Sequence, residues 1–147
     1  MVRPDRELAI IDHEDALRGP LAYDLVSLLR DVYVRRDREE VVARAYQYLR
    51  LARKARLDVP EDPETLLRWI DLTGAQRHLK IAGIFARLYY RDGKSRYLDD
   101  IPLTLDYLVE ECAAWPALAE LGALLRRLDV AGRVAEANAR VASAASR

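Results

Sequence analysis

The stretch from about Pro63 to Tyr90 constrains the fold most. Asp62-Pro63-Glu64 opens it with a helix-start signal, because Asp caps free backbone N–H groups and Pro is tolerated at the first helical position. Leu67, Ile70, Gly74, Ile81, Phe85 and Leu88 then recur on one side at helical spacing, while Leu72, Leu79 and Ala86 repeat on another. A helix apolar most of the way round has to be surrounded, so this segment is expected at the centre of a helical domain. Gly74 and Gly83 each cost roughly 1 kcal/mol of helix propensity against Ala, and close approach of a neighbouring helix is the expected compensation. Arg91-Asp92-Gly93-Lys94 supplies a basic last turn and a terminating glycine.

The flanking segments carry the same period. After Gly19-Pro20, Leu25, Leu28, Leu29 and Val32 share a face that Ala22, Val26 and Tyr33 widen, which predicts a first helix. A second is predicted from about Arg38 to Leu57, with Val41, Ala45, Tyr48, Leu49 and Ala52 as its stripe. Two more are predicted over about Pro102 to Ala114 and Pro116 to Leu128, and Ala131 to Arg147 reads as a final helix. The start is different: Leu8-Ala9-Ile10-Ile11 is a short apolar run behind the turn-forming Pro4-Asp5, so Met1–Arg3 and Leu8–Asp12 read as the arms of a small β-hairpin. The expected fold is mainly α, a short N-terminal β-hairpin followed by five or six helices, in one domain over residues 1–147.

Composition narrows the function classes. With 147 residues, 51% of them hydrophobic and 33% charged, the chain can bury a core without staples. Lys plus Arg and Asp plus Glu both number 24, so no basic field draws a nucleic-acid backbone. The arginine-rich side of the second helix, Arg44, Arg50, Arg53, Lys54 and Arg56, therefore reads as a solvated face. A lone cysteine, Cys112, excludes an internal disulfide. No run approaches the roughly 20 apolar residues of a membrane span, and MVRPDREL is charged where a signal peptide needs an apolar stretch, so a cytoplasmic chain without membrane contact is expected. Two histidines and six glycines cannot assemble a multi-histidine metal site or a complete glycine-rich nucleotide loop.

Asp12-His13-Glu14-Asp15 is the best candidate for chemistry, at the end of the expected strand and before a glycine-containing turn. Period-2 alternation sends Asp12 and Glu14 to one face and His13 and Asp15 to the other, so the four cannot all ligate one ion. One carboxylate at a strand end suits a Mg²⁺ that keeps most of its waters and bridges to phosphate oxygens. A polar loop after a strand is the plain alternative.

Ile10-Ile11-Asp12-His13-Glu14-Asp15-Ala16, then Gly19-Pro20 and Tyr23-Asp24-Leu25, resemble the I-D-F-x-D-A, G-P and Y-D-L succession of the aminoglycoside phosphotransferase family, kinase-like enzymes that phosphorylate small molecules. Tyr23 to Asp31, Gln76-Arg77-His78-Leu79-Lys80, Gly83 to Leu88 and Arg91 to Lys94 are similar to one branch, the bacterial cell-wall kinases acting on the anomeric hydroxyl of N-acetylmuramate and N-acetylglucosamine. The resemblance runs from about Met1 to Tyr107 and implies the C-terminal part of a protein-kinase-like large lobe.

It further implies that Asp12 is the metal-binding aspartate, that Asp24 braces the catalytic loop from behind, and that Asp15 is a supporting or substrate-facing group. His13 and Glu14 depart from the commoner Phe-Gln pair. Gln76, Arg77, His78 and Arg87 become candidates for the wall of an amino-sugar site, although each also suits a structural pairing inside the fold. The family's H-x-D-x-x-x-x-N loop, which supplies the base, is expected upstream of Met1, and Met1-Val2 match the residues that follow it. No catalytic residue is therefore assigned, and Mg²⁺ and ATP are expected for a complete enzyme, with tight binding of neither by this chain. The resemblance thus implies an incomplete sugar kinase whose missing N-terminal half lies upstream or in a separate chain. The rival reading is a non-catalytic helical binding module derived from a kinase, which holds a partner chain or self-associates. Trp69 and Trp115 read as packing residues.

Overall fold

The computed structural model describes residues 18–145. The chain order is α1 (Ala22–Leu29), α2 (Arg38–Lys54), α3 (Pro63–Asp92), a 3₁₀ turn (Ser95–Leu98), α4 (Ile101–Ala114), a second 3₁₀ turn (Pro116–Leu118), α5 (Ala119–Arg127) and α6 (Val130–Ala145). These residues are 79% helical with no strand, so the expected mainly α fold opened by a β-hairpin is corrected to an all-helical one over the described residues. The hairpin arms, Met1–Arg3 and Leu8–Asp12, lie outside the described residues. The helices themselves follow the expected order.

α3 is the hub. Asp62 caps it, its carboxylate accepting from the Glu64 and Thr65 N–H groups at 3.1 and 3.0 Å. It runs 30 residues, about 45 Å at 1.5 Å per residue. It stops at Gly93, whose φ of 67° is left-handed, and Lys94 N–H returns to the Leu88 carbonyl at 3.1 Å to satisfy an end carbonyl. Asp37 caps α2 in the same way, accepting from Glu40 N–H at 2.8 Å.

Two apolar clusters meet along α3. Toward its N-terminal half, Leu66, Leu67 and Ile70 pack with Ala22, Val26 and Leu29 of α1 and Val41, Ala45 and Leu49 of α2. Beyond them, Ala75 and Phe85 pack with Val32, Leu98 and the α4 residues Ile101, Leu105, Leu108 and Cys112. α5 and α6 cover the second cluster through Leu121, Leu125, Val134 and Val141. α1 is shorter than its apolar pattern suggests: Leu28 is 68% exposed and Tyr33 63%, while Val32 reaches the core from the loop after the helix.

The two α3 glycines differ. A Cβ on Gly74 would fall 2.2 Å from Glu111 Oε1 of α4, whereas one on Gly83 would meet nothing within 4 Å. The expectation of close helix approach holds for Gly74 and is corrected for Gly83, which is exposed.

Candidate functional site

A polar cluster lies where α3 passes from one apolar cluster to the other. Asp71, His78, Glu111 and Arg30 are all at most 2% exposed there. Arg30 follows the last turn of α1, where a helix leaves carbonyls without intrahelical partners. His78 Nε2 lies 3.1 Å from the Arg30 carbonyl, which can only accept, so Nε2 carries a hydrogen and donates to it. Nδ1 of the same ring is 2.9 Å from Glu111 Oε2, so one proton lies between imidazole and carboxylate. Burial pushes the Glu111 carboxyl above its ordinary range, and its hydrogen bond to His78 opposes that shift.

Asp71 is the cluster's other anion. Arg38 of α2 donates to it through both terminal nitrogens, at 2.5 and 2.7 Å, and the Trp115 indole N–H donates to its second oxygen at 2.7 Å. That hydrogen bond raises the Arg38 guanidinium further above its usual value. The Trp115 indole is therefore a hydrogen-bond donor within a polar constellation, which corrects its reading as packing alone. Arg30 pairs with Glu110 at 2.7 Å and stands 3.9 Å from Asp71. Tyr107 completes the group: its hydroxyl donates to the Val34 carbonyl at 3.0 Å and accepts from Arg36 N–H at 2.7 Å. The Arg30 guanidinium lies 4.8 Å from that ring's centre and His78 stacks on it at 5.3 Å. Two arginines face two carboxylates, and the His78–Glu111 pair shares its proton, so the cluster is charge-balanced and ties the α1–α2 loop to α3 and α4.

The outer face of α3 has the opposite character. Trp69, Leu72, Thr73, Gln76, Arg77 and Lys80 follow at i, i+3, i+4, i+7, i+8 and i+11, which is one continuous stripe. At its upper end an open groove of about 340 Å³ is lined by Pro20, Leu21, Ala22, Trp69, Leu72 and Thr73. Farther down, the Arg77 guanidinium rests 4.7 Å from the Tyr23 ring centre. A larger depression of about 490 Å³ is lined by α5 alone, through Glu120, Leu121, Ala123, Leu124 and Arg127, and so has no second wall.

The sequence-predicted residues separate accordingly. Asp12 and Asp15 lie outside the described residues. Asp24 is exposed in the first turn of α1. Gln76 is exposed and Arg77 half-buried on the outer stripe, while His78 points inward and its two ring nitrogens are both engaged in the polar cluster. Arg87 is exposed on nearly the same face as Gln76 but about three turns along. The four candidates on α3 therefore do not converge on one site. The groove residues Trp69 and Thr73 were missed, although their spacing of four, continued to Arg77, was a readable signal. Among the described residues no group of three or more His, Cys, Asp or Glu could hold a metal ion, and no helix is long and apolar enough to cross a membrane.

Comparisons with known proteins agree with the motifs. The profile of the phosphotransferase enzyme family matches residues 1–59. A protein of Neisseria meningitidis serogroup B named N-acetylmuramate/N-acetylglucosamine kinase is 50% identical over 119 residues, which cover 81% of this chain and 36% of that protein. Proteins of the same name from Pseudomonas aeruginosa and Caulobacter vibrioides are 45% and 38% identical, covering 81% and 84% of this chain and 35% and 33% of theirs. The chain thus spans about a third of the length of the curated relatives it matches. No solved structure matches it. Ordered motifs from Ile10 to Lys94, a family match over residues 1–59 and 38–50% identity across four-fifths of the chain all point to similarity with the phosphotransferase enzyme family, that of the aminoglycoside phosphotransferases.

Proposed function

We propose that the chain is part of an ATP-dependent kinase for N-acetylmuramate and N-acetylglucosamine, contributing a magnesium-binding aspartate and an acceptor-sugar wall. The observation that carries this reading is the shared name of relatives 38–50% identical over most of the chain. Asp12 is the residue assigned to magnesium, which when bound would neutralise charge between the nucleotide phosphates and the sugar hydroxyl. Asp24 supports the catalytic loop and Asp15 stands behind Asp12 or faces the sugar. His78 acts from inside, holding the Arg30 carbonyl and Glu111 so that α3 keeps its place against α1 and α4.

Phosphoryl transfer depends on positioning and charge neutralisation. This chain's residues supply neither the H-x-D-x-x-x-x-N base nor a phosphate-covering glycine loop, so by itself it should bind nucleotide poorly and not turn over. Calorimetric titration with Mg²⁺-ATP, alongside an assay of ADP release in the presence of N-acetylmuramate, tests this. The expected result is affinity weaker than about 1 mM and no ADP above background. Micromolar ATP affinity or measurable turnover would overturn the reading of an incomplete catalytic unit.

A further inference from the structure

We infer that the groove between the α1 entry and the outer stripe of α3 is a two-part sugar subsite, in which Trp69 carries the sugar ring and Arg77 selects the acidic sugar. The inference rests on the amino-sugar reading above and adds to it the residues that distinguish one sugar from the other.

The groove has the size and make-up of a monosaccharide site. At about 340 Å³ it sits at the small end of ligand pockets, with room for one sugar. Its floor is apolar, made by Pro20, Leu21 and Leu72, with Thr73 as the polar group at its edge. Trp69 is 40% exposed, an unusual position for so large an apolar ring, and it lines the groove. The C–H face of a pyranose is apolar and suits such a ring, while its hydroxyls need donors and acceptors around the edge, which Thr73 and Gln76 offer. An acetamido methyl finds matching surface on Leu21 and Leu72.

Arg77 supplies the selective element. It lies one turn beyond Thr73, about 6 Å along the helix axis. Among the described residues no carboxylate pairs with it, in contrast to Arg30, Arg35 and Arg38, which all meet acids. Its guanidinium is instead laid over Tyr23, which fixes its position without using its N–H donors. N-acetylmuramate differs from N-acetylglucosamine by a lactyl ether that ends in a carboxylate. A planar guanidinium held one turn from the sugar ring is complementary to that carboxylate and indifferent to the neutral sugar.

The two tryptophans make the test direct, since the Trp115 indole is bonded to buried Asp71 and serves as an internal reference for Trp69. Titration of the ¹⁵N-labelled chain with each sugar should shift the Trp69 indole signal and leave that of Trp115 in place, with N-acetylmuramate binding about five- to tenfold tighter. Arg77→Gln should remove that preference by weakening N-acetylmuramate alone. Trp69→Leu, checked for an unchanged melting temperature, should weaken both sugars by about tenfold. If both sugars bind but Arg77→Gln leaves their ratio unchanged, the inference is overturned while the amino-sugar reading stands. Binding of neither sugar by the folded chain overturns both.

Discussion

Replacing Gly74 by Ala sets two effects of known sign against each other. In a helix interior Ala is favoured over Gly by about 1 kcal/mol, so the substitution alone should stabilise α3. Here the new Cβ would lie 2.2 Å from Glu111 Oε1 and 2.9 Å from its Cδ, whereas a relaxed carbon–oxygen contact needs roughly 3.3 Å. The carboxylate would have to move by about 1 Å. It cannot move freely, because its other oxygen is bonded to His78 at 2.9 Å and the residue is fully buried. Either the His78 bond opens, costing about 1–3 kcal/mol, or α3 and α4 separate, costing about as much through overpacking. The net expectation is a loss of about 2 kcal/mol, read as a lower urea midpoint by circular dichroism or a melting temperature reduced by about 6 °C. Gly83→Ala on the same helix meets open space and should gain up to about 1 kcal/mol. In a Glu111→Ala background the obstruction is gone, and Gly74→Ala should change from destabilising to stabilising. A Gly74→Ala chain as stable as the parent, or a loss unaffected by removing Glu111, would show that Glu111 does not obstruct a side chain at position 74.

Other parts of the cluster give further outcomes. A carboxyl whose folded value is raised contributes stability that is fully present below its unfolded value of 4.5 and fades as pH rises through the folded value. Glu111→Gln removes that titration, so melting curves should show the variant gaining on the parent from about pH 5 toward neutrality; parallel curves would contradict the assignment. Asp71→Asn leaves Arg38 and Arg30 facing a neutral group and should cost about 3 kcal/mol in urea denaturation, whereas Trp115→Phe removes one bond and should cost about 1 kcal/mol. Asp62 is held below the ordinary carboxylate range by the N–H groups it caps. Its contribution is therefore present above that range and lost as pH falls through the lowered value, and Asp62→Ala should lower the melting temperature at neutral pH with a smaller effect in acid.

What could be read before the structure was local. Asp62-Pro63 and Gly93 bound α3 because a cap, a permitted proline and a left-handed glycine act within one turn of themselves. Asp37 caps α2 through Glu40 N–H by the same local means, a signal the reading of a helix from about Arg38 did not use. The apolar pattern after Gly19-Pro20 overstated α1, because Leu28 faces outward within the helix and Tyr33 lies exposed beyond its end, after the chain turns at Arg30. The polar cluster was hidden for a different reason. His78 meets Glu111 across 33 positions and Arg30 meets Glu110 across 80, and neither partner carries a local mark of the other. His78 therefore read first as an interior histidine and second as a sugar contact, and packing decided for the interior. Trp115 was misjudged likewise, since its acceptor, Asp71, lies 44 positions away.

Under the proposed function, this chain does the work of the corresponding part of an amino-sugar kinase. The most direct measurement is phosphoryl transfer by the Neisseria meningitidis relative after its matching stretch is replaced by this chain, followed by ³¹P NMR with Mg²⁺-ATP and N-acetylmuramate. The graft is expected to fold and to form the sugar phosphate. A folded graft that hydrolyses or transfers nothing, beside a parent active under the same conditions, would contradict it.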